Sequence, residues 1–228
     1  MVNSTSKHLE IRQKDVETNE EDIEISPNER IPFYWKDSDH PRLMSVRLKD
    51  QSKSWNWSGG FEIGTPKTFT FMIKHKNYSK KRENFPNDIS DICFFKVVIH
   101  KEKEIHYVSI HYLEKDDYPY IIKNKCKYFQ ICFQQIDKNE AQNNNSPFVL
   151  YMNQSSPFAW PFPNEENLIE ITFFHEYSND FVPIKKKFSL TKLTHKIGKF
   201  NINTKKLTYE ILSKYKVNGP YCHLYCHL

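Results

Sequence analysis

The chain has 228 residues, a formal net charge of +5, and 15% aromatic residues, including 17 Phe and 13 Tyr. So many rings exclude a fully disordered chain, although mean hydropathy is only −0.73. Lys and Arg are interleaved with Asp and Glu rather than gathered into a stripe, which argues against a nucleic-acid partner. No run approaches the roughly 18 apolar residues of a membrane-spanning helix.

In chain order, residues 1–27 are polar, with acids concentrated between Asp15 and Glu24. They read as a disordered or linker segment without a secretory signal. Short β-branched and aromatic runs follow: Leu43 to Leu48, Phe69 to Ile73, Ile92 to Ile99 and Ile105 to Leu113. Tyr120 to Ile122, Tyr128 to Gln134, Phe148 to Met152, Leu168 to Phe174, Lys187 to Leu190 and Leu207 to Leu212 continue the pattern. Phe69, Phe71 and Ile73 alternate with Thr68, Thr70 and Met72, the period of a strand. Leu207 to Tyr215 is the one stretch that also fits a short helix. Many short strands predict an all-β fold of sandwich type.

The five Cys form no disulfide framework. Cys93, Cys126 and Cys132 sit in apolar segments, and a reducing, cytoplasmic setting is expected. Residues 214–228 read as a tail. They hold the tandem Tyr221-Cys-His-Leu224 and Tyr225-Cys-His-Leu228. Four potential ligands this close lack the folded spacer of a zinc finger, so an unstructured tail is favoured over a metal site.

Pro32-Phe-Tyr-Trp35 recurs as Pro157-Phe-Ala-Trp160, an offset of 125 residues. Each copy passes through a polar turn into a strand. Proline suits the position before a strand, and Trp has the surface to close the end of a sandwich. The repeat implies modules of about 100 residues, a usual domain size. On this reading, residues 28–112 hold the downstream half of one module and residues 113–213 a whole one: tandem β-sandwich repeat modules, one complete and one partial.

The motifs Ile31-Pro-Phe-Tyr-Trp-Lys-Asp37, Leu43-Met-Ser-Val-Arg-Leu48 and Trp55-Asn-Trp-Ser-Gly-Gly-Phe61 occur in that order. Tyr118-Pro-Tyr-Ile-Ile-Lys-Asn124, the Gln-ended strand through Gln134-Gln135, and Ser156-Pro-Phe-Ala-Trp160 follow. This series resembles the SHR-binding, or adaptor-binding, domain of the vacuolar protein sorting-thirteen family over about residues 28 to 190. The resemblance implies a non-catalytic array of β-sandwich repeats without a cofactor, peripheral on organelle membranes. Its partners would be cytosolic adaptor proteins bound through short, Pro-x-Pro-type segments. It also implies a characteristic Asn in an Ile-x-Asn strand, which falls here on Asn124, with no counterpart expected for the first module. The amide could instead hold a local turn.

Other readings stay open at this stage. Trp55 and Trp57 could stack on a carbohydrate, although a buried plug is favoured. Gly59-Gly60 suggests a turn or bulge with positive φ. Lys80-Lys81-Arg82 and Lys185-Lys186-Lys187 could touch anionic lipid, although solvated edges are the plainer reading. No nucleotide-binding, metalloprotease or hydrolase motif occurs, and His100, His106 and His111 form no set.

Overall fold

The structure is a computed structural model. It describes residues 1–16, 22–51, 54–78, 90–114, 117–125, 129–136, 147–175, 184–189, 195–202, 205–216 and 219–227. The chain divides into two compact units. Unit 1 comprises Met1–Asn77, Ser90–Glu114 and Ala159–Glu165; unit 2 comprises Tyr78–Ile89, Lys115–Phe158 and Glu166–Leu228.

Unit 1 is built from β1 (Val2–Ser4), β2 (Leu9–Gln13), β3 (Ile23–Ile25), β4 (Leu43–Leu48), β5 (Phe61–Glu62), β6 (Lys67–Lys74), β7 (Ile92–Glu102) and β8 (Ile105–Tyr112). One sheet runs β1-β8-β7-β6 and the other β3-β2-β4-β5. All pairings are antiparallel except β1 with β8, where Val2 lies opposite Ser109. The alternation of β6 and β7 sends Phe71, Ile73, Phe95, Val97 and Ile99 inward. They join Leu9, Ile11, Ile25, Met44, Val46 and Phe61 from the other sheet in one core cluster. Full burial of each such side chain stabilises the fold by about 1.5–3 kcal/mol.

The all-β class therefore holds, but residues 1–27 are not a linker. They supply β1, β2 and β3, and Leu9, Ile11 and Ile25 are fully buried. Strands this short carry too few apolar residues to stand out against acidic neighbours. With them in place, unit 1 holds both halves of its module rather than the downstream half alone. The residues Ala159–Glu165 also belong to unit 1. Within it Trp160 forms a parallel bridge with Phe71.

Neither Gly59 nor Gly60 has the positive φ expected of them. Gly59 is required for space. A Cβ there would lie 2.6 Å from the Phe162 Cα, and the Gly59 N–H donates to the Pro161 carbonyl at 2.8 Å. Gly59→Ala should therefore push the 161–162 backbone away and cost about 1–3 kcal/mol. Chemical denaturation followed by circular dichroism reads this directly. An unchanged midpoint would rule out the close approach.

Unit 2 repeats the plan with β9 (Tyr120–Asn124), β10 (Phe129–Gln135), β11 (Phe148–Leu150), β12 (Ser155–Phe158), β13 (Leu168–His175), β14 (Ile184–Ser189), β15 (His195–Ile202), β16 (Lys205–Lys216) and β17 (Gly219–His227). Its sheets run β11-β10-β13-β14 and β12-β9-β17-β16-β15. Apart from the added edge strand β12, the order matches unit 1, including the parallel pairing of first and last strands: Ile122 lies opposite Cys222. Phe133, Phe148 and Phe158 meet in the core, with Phe133 and Phe148 stacked at 4.8 Å and Phe158 edge-on to both.

The strand reading of Leu207 to Leu212 holds over its helical alternative: the stretch lies in β16, which pairs with β15 and β17. One sequence expectation fails in unit 2. The expected tail contains β17, paired with β16 from Gly219 to His227.

Candidate functional site

Asn124 is the last residue of β9 and is completely buried. Its amide nitrogen donates to the carbonyls of Phe129 at 2.8 Å and Leu150 at 2.9 Å. Its backbone N–H donates to the Gln154 carbonyl at 2.9 Å. One side chain thus ties the start of β10 and the end of β11 to β9. The amide touches backbone, not solvent, so it shapes a surface rather than presenting itself on one.

The first unit carries the same device in Asn3, which sequence reasoning missed. Asn3 is also completely buried. Its amide donates to the carbonyls of Lys7 at 2.8 Å, Ile25 at 3.0 Å and Ser26 at 3.0 Å. Its Oδ1 accepts from the Thr5 N–H and hydroxyl. Its backbone N–H donates to the Glu29 carbonyl. The Ile-x-Asn signature reads Met1-Val-Asn3 here. The turns these asparagines hold correspond as well: Asn28 and Asn153 both have φ near +60°.

A second pin stands at the end of the next strand. Gln13 is buried; its amide nitrogen donates to the Asp37 carbonyl at 2.8 Å and its Oε1 accepts from the Asp37 N–H at 3.0 Å. Gln135 does the same work in unit 2, donating to Glu166 O at 3.2 Å. In unit 1, Asn3 holds residues 25–29 and Gln13 holds residues 37–41. Between them lies the Pro32-Phe-Tyr-Trp35 segment.

That bracketed segment rims a cleft of about 1250 Å³, lined by Arg30, Pro32, Tyr34, Ile63, Ile105 and Tyr107, among others. Tyr34 is 76% exposed and Ile105 is 59% exposed. Phe33 and Trp35 pack edge to face at 5.1 Å and lean on the core. The Arg30 guanidinium lies 5.1 Å from the Tyr107 ring centroid, and His100 stacks on the same ring at 4.9 Å. Arg30 to Ile31 runs beside β1, which it meets through the Val2–Arg30 bridge and the Ile31 N–H to Met1 carbonyl bond.

The tryptophans have structural places. Trp55 packs on His75 and against the core. The Trp57 ring has two guanidiniums over it, Arg12 and Arg47, each 4.3 Å from the centroid. Arg47 also pairs with Glu10 and with Asp22 at 3.1 Å. A sugar stacking on Trp57 would have to compete with these cations. Lys185 lies 3.6 Å from Glu170, which offsets part of the charge of its lysine run. Lys80-Lys81-Arg82 lies outside the described residues. Burial pushes the Cys93 thiol up to about 12, so it stays protonated and unreactive at neutral pH. No helix among the described residues is long and apolar enough to cross a membrane.

Two sandwiches of one topology, each stapled by a buried Asn and Gln, define a tandem β-sandwich repeat protein. The profile described as "Vacuolar-sorting associated protein 13, adaptor binding domain" matches residues 1–167. The chain belongs to that family of interaction modules. Intermembrane lipid transfer protein vps13A of Dictyostelium discoideum is 26% identical over 153 residues, covering 66% of this chain and 4% of that protein. Intermembrane lipid transfer protein vps13E of the same organism is 25% identical over 164 residues, covering 71% of this chain and 4% of that protein. The chain thus spans a small fraction of the length of these relatives.

Proposed function

We propose that the chain is a non-catalytic adaptor-receiving module that recruits an intermembrane lipid-transfer protein to organelle membranes from the cytoplasmic side. The observation that carries this reading is the aromatic cleft along the Arg30–Trp35 segment. Short extended adaptor segments of Pro-x-Pro type dock there. Prolines favour an extended backbone and lack an N–H, so such a segment pairs sparsely with an edge and places its rings on aromatic faces. Tyr34 supplies an exposed face of this kind. In unit 2 the corresponding edge is β12, with Pro157 inside it, and Asn124 fixes the turn that leads into it. Asn3 and Asn124 are positioning residues in this scheme: they aim the edge without touching the adaptor.

The test is binding of a Pro-x-Pro peptide library to the 228-residue protein by fluorescence anisotropy. Tyr34→Ala should weaken the best peptide about tenfold or more, the loss typical of an aromatic hot spot, with an unchanged circular dichroism spectrum. Peptides that bind wild type and Tyr34→Ala equally would remove the cleft as the seat. No peptide binding at all would remove the Pro-x-Pro assignment.

A further inference from the structure

A second surface, on unit 2, has a chemistry that the fold does not require. β11 and β12 are joined by the tight turn Tyr151-Met-Asn-Gln154, closed by the Gln154 N–H to Tyr151 carbonyl bond at 3.1 Å. The Gln154 side chain reinforces it by accepting the Tyr151 N–H at 3.0 Å. Asn153 takes φ 61° at its corner. The turn projects two apolar side chains, Tyr151 at 37% and Met152 at 43% exposure. Beside it runs the end of β9, where Lys123 lies opposite Ser155 in the ladder. Lys123 and Lys125 flank the buried Asn124. Both are only partly buried, on either side of the fully buried Asn124, as strand alternation requires, and Lys123 holds the Lys125 ammonium below the usual lysine range.

Unit 1 provides an internal control. Its equivalent turn is Ser26-Pro-Asn-Glu29, with the same closing bond, Glu29 N–H to Ser26 carbonyl, and φ 60° at Asn28. The residues flanking its buried Asn3 are Val2 and Ser4. The same backbone is therefore built with a polar, acidic tip and no lysine. The apolar tip and paired cations of unit 2 answer to something other than folding.

We propose that Tyr151, Met152, Lys123 and Lys125 form a contact site for an anionic phospholipid surface. Two lysines on one side of the chain beside an apolar turn attract phosphate, and a membrane surface presents phosphates beside an apolar layer. Tyr is suited to the interface between the two, with an apolar ring and a polar tip. A soluble phosphopeptide would satisfy the lysines but leave the projecting Tyr and Met without a role. The site is separate from the unit 1 adaptor cleft, with which it shares no residue; in unit 2 it adjoins the β12 edge.

Flotation of the 228-residue protein with phosphatidylcholine vesicles, with and without phosphatidylserine, tests the proposal. Wild type should float only with the anionic vesicles, and less as salt is raised. Lys123→Val with Lys125→Ser, the residues unit 1 uses, should bind about 30-fold more weakly. Tyr151→Ser with Met152→Pro should lose on the order of tenfold. Tyr34→Ala should float like wild type, which keeps this site separate from the adaptor cleft. The proposal is overturned if wild type ignores anionic vesicles. It is equally overturned if both double variants, folded by circular dichroism, bind as wild type does, or if the lysine pair binds a phosphoserine peptide and not the vesicles.

Discussion

Asn124→Asp should destabilise unit 2 by about 3 kcal/mol or more, although the two side chains are nearly the same shape. The native amide donates to Phe129 O and Leu150 O. A carboxylate donates nothing, so both buried carbonyls lose a partner at roughly 1–3 kcal/mol each, and a charge is left in the core. The buried carboxyl would escape by holding its proton, which raises its pKa in the folded state above the ordinary value of about 3.9. The sign follows from that rise. Below about pH 3.9 both states are protonated and the charge penalty vanishes; it grows as pH increases toward the raised folded value. Denaturation midpoints of the variant should therefore fall relative to wild type as pH rises. Midpoints equal to wild type at neutral pH would refute the hydrogen-bond assignment. Asn3→Asp should behave similarly in unit 1, where Thr5 still donates to one oxygen.

The second large effect is expected at Arg47. Its guanidinium is buried on the outer side of β4, paired with Glu10 and Asp22 and lying over Trp57. Arg47→Ala strands the buried Glu10 carboxylate and removes one of the two guanidiniums over the indole, a loss of about 3–5 kcal/mol. The nearby exposed pair Lys49–Glu24 sets the contrast: Lys49→Ala should cost no more than about 1 kcal/mol. Urea denaturation of both variants, followed by tryptophan fluorescence, separates the two cases. Comparable losses would mean that the Arg47 pairing contributes no more than a surface bridge. Arg47→Lys should recover only part of the loss, since an ammonium lacks the fork that serves two carboxylates and the plane that lies over an indole.

Much of this fold was legible because the longer strands announce themselves. Leu43 to Leu48 matches β4 residue for residue, and the Phe69-Phe71-Ile73 alternation gives the inward face of β6. What escaped is short or mixed in character. β1 and β3 have three residues each, and their apolar content is diluted by Asp15 to Glu24. Leu207-Thr-Tyr-Glu-Ile-Leu212 satisfies both periodicities over so short a span, and only pairing on both sides makes it a strand. Residues 214–228 read as an unstructured tail because the Cys-His tandem has no clear apolar-polar alternation, and it is pairing with β16 that makes most of it a strand.

The site divides the same way. Asn124 was legible from its neighbours Ile122 and Gln134-Gln135. Asn3 was not, because Met1 stands where Ile122 stands in the second copy. The Tyr34 cleft depends on residues from distant parts of the chain, Arg30 to Trp35, Ile63 and Ile105 to Tyr107, which no local pattern joins.

The parallel pairing of first and last strands sets the timetable by which each module is made. β1 lies beside β8 and β9 beside β17, so a strand emerging early from the ribosome waits for its neighbour until roughly 100 further residues are made. At about 5–20 residues per second, that is roughly 5–20 s of translation. For that time the strand carrying the stapling asparagine has one edge without its lasting partner, the state in which β-rich chains are most open to mispairing.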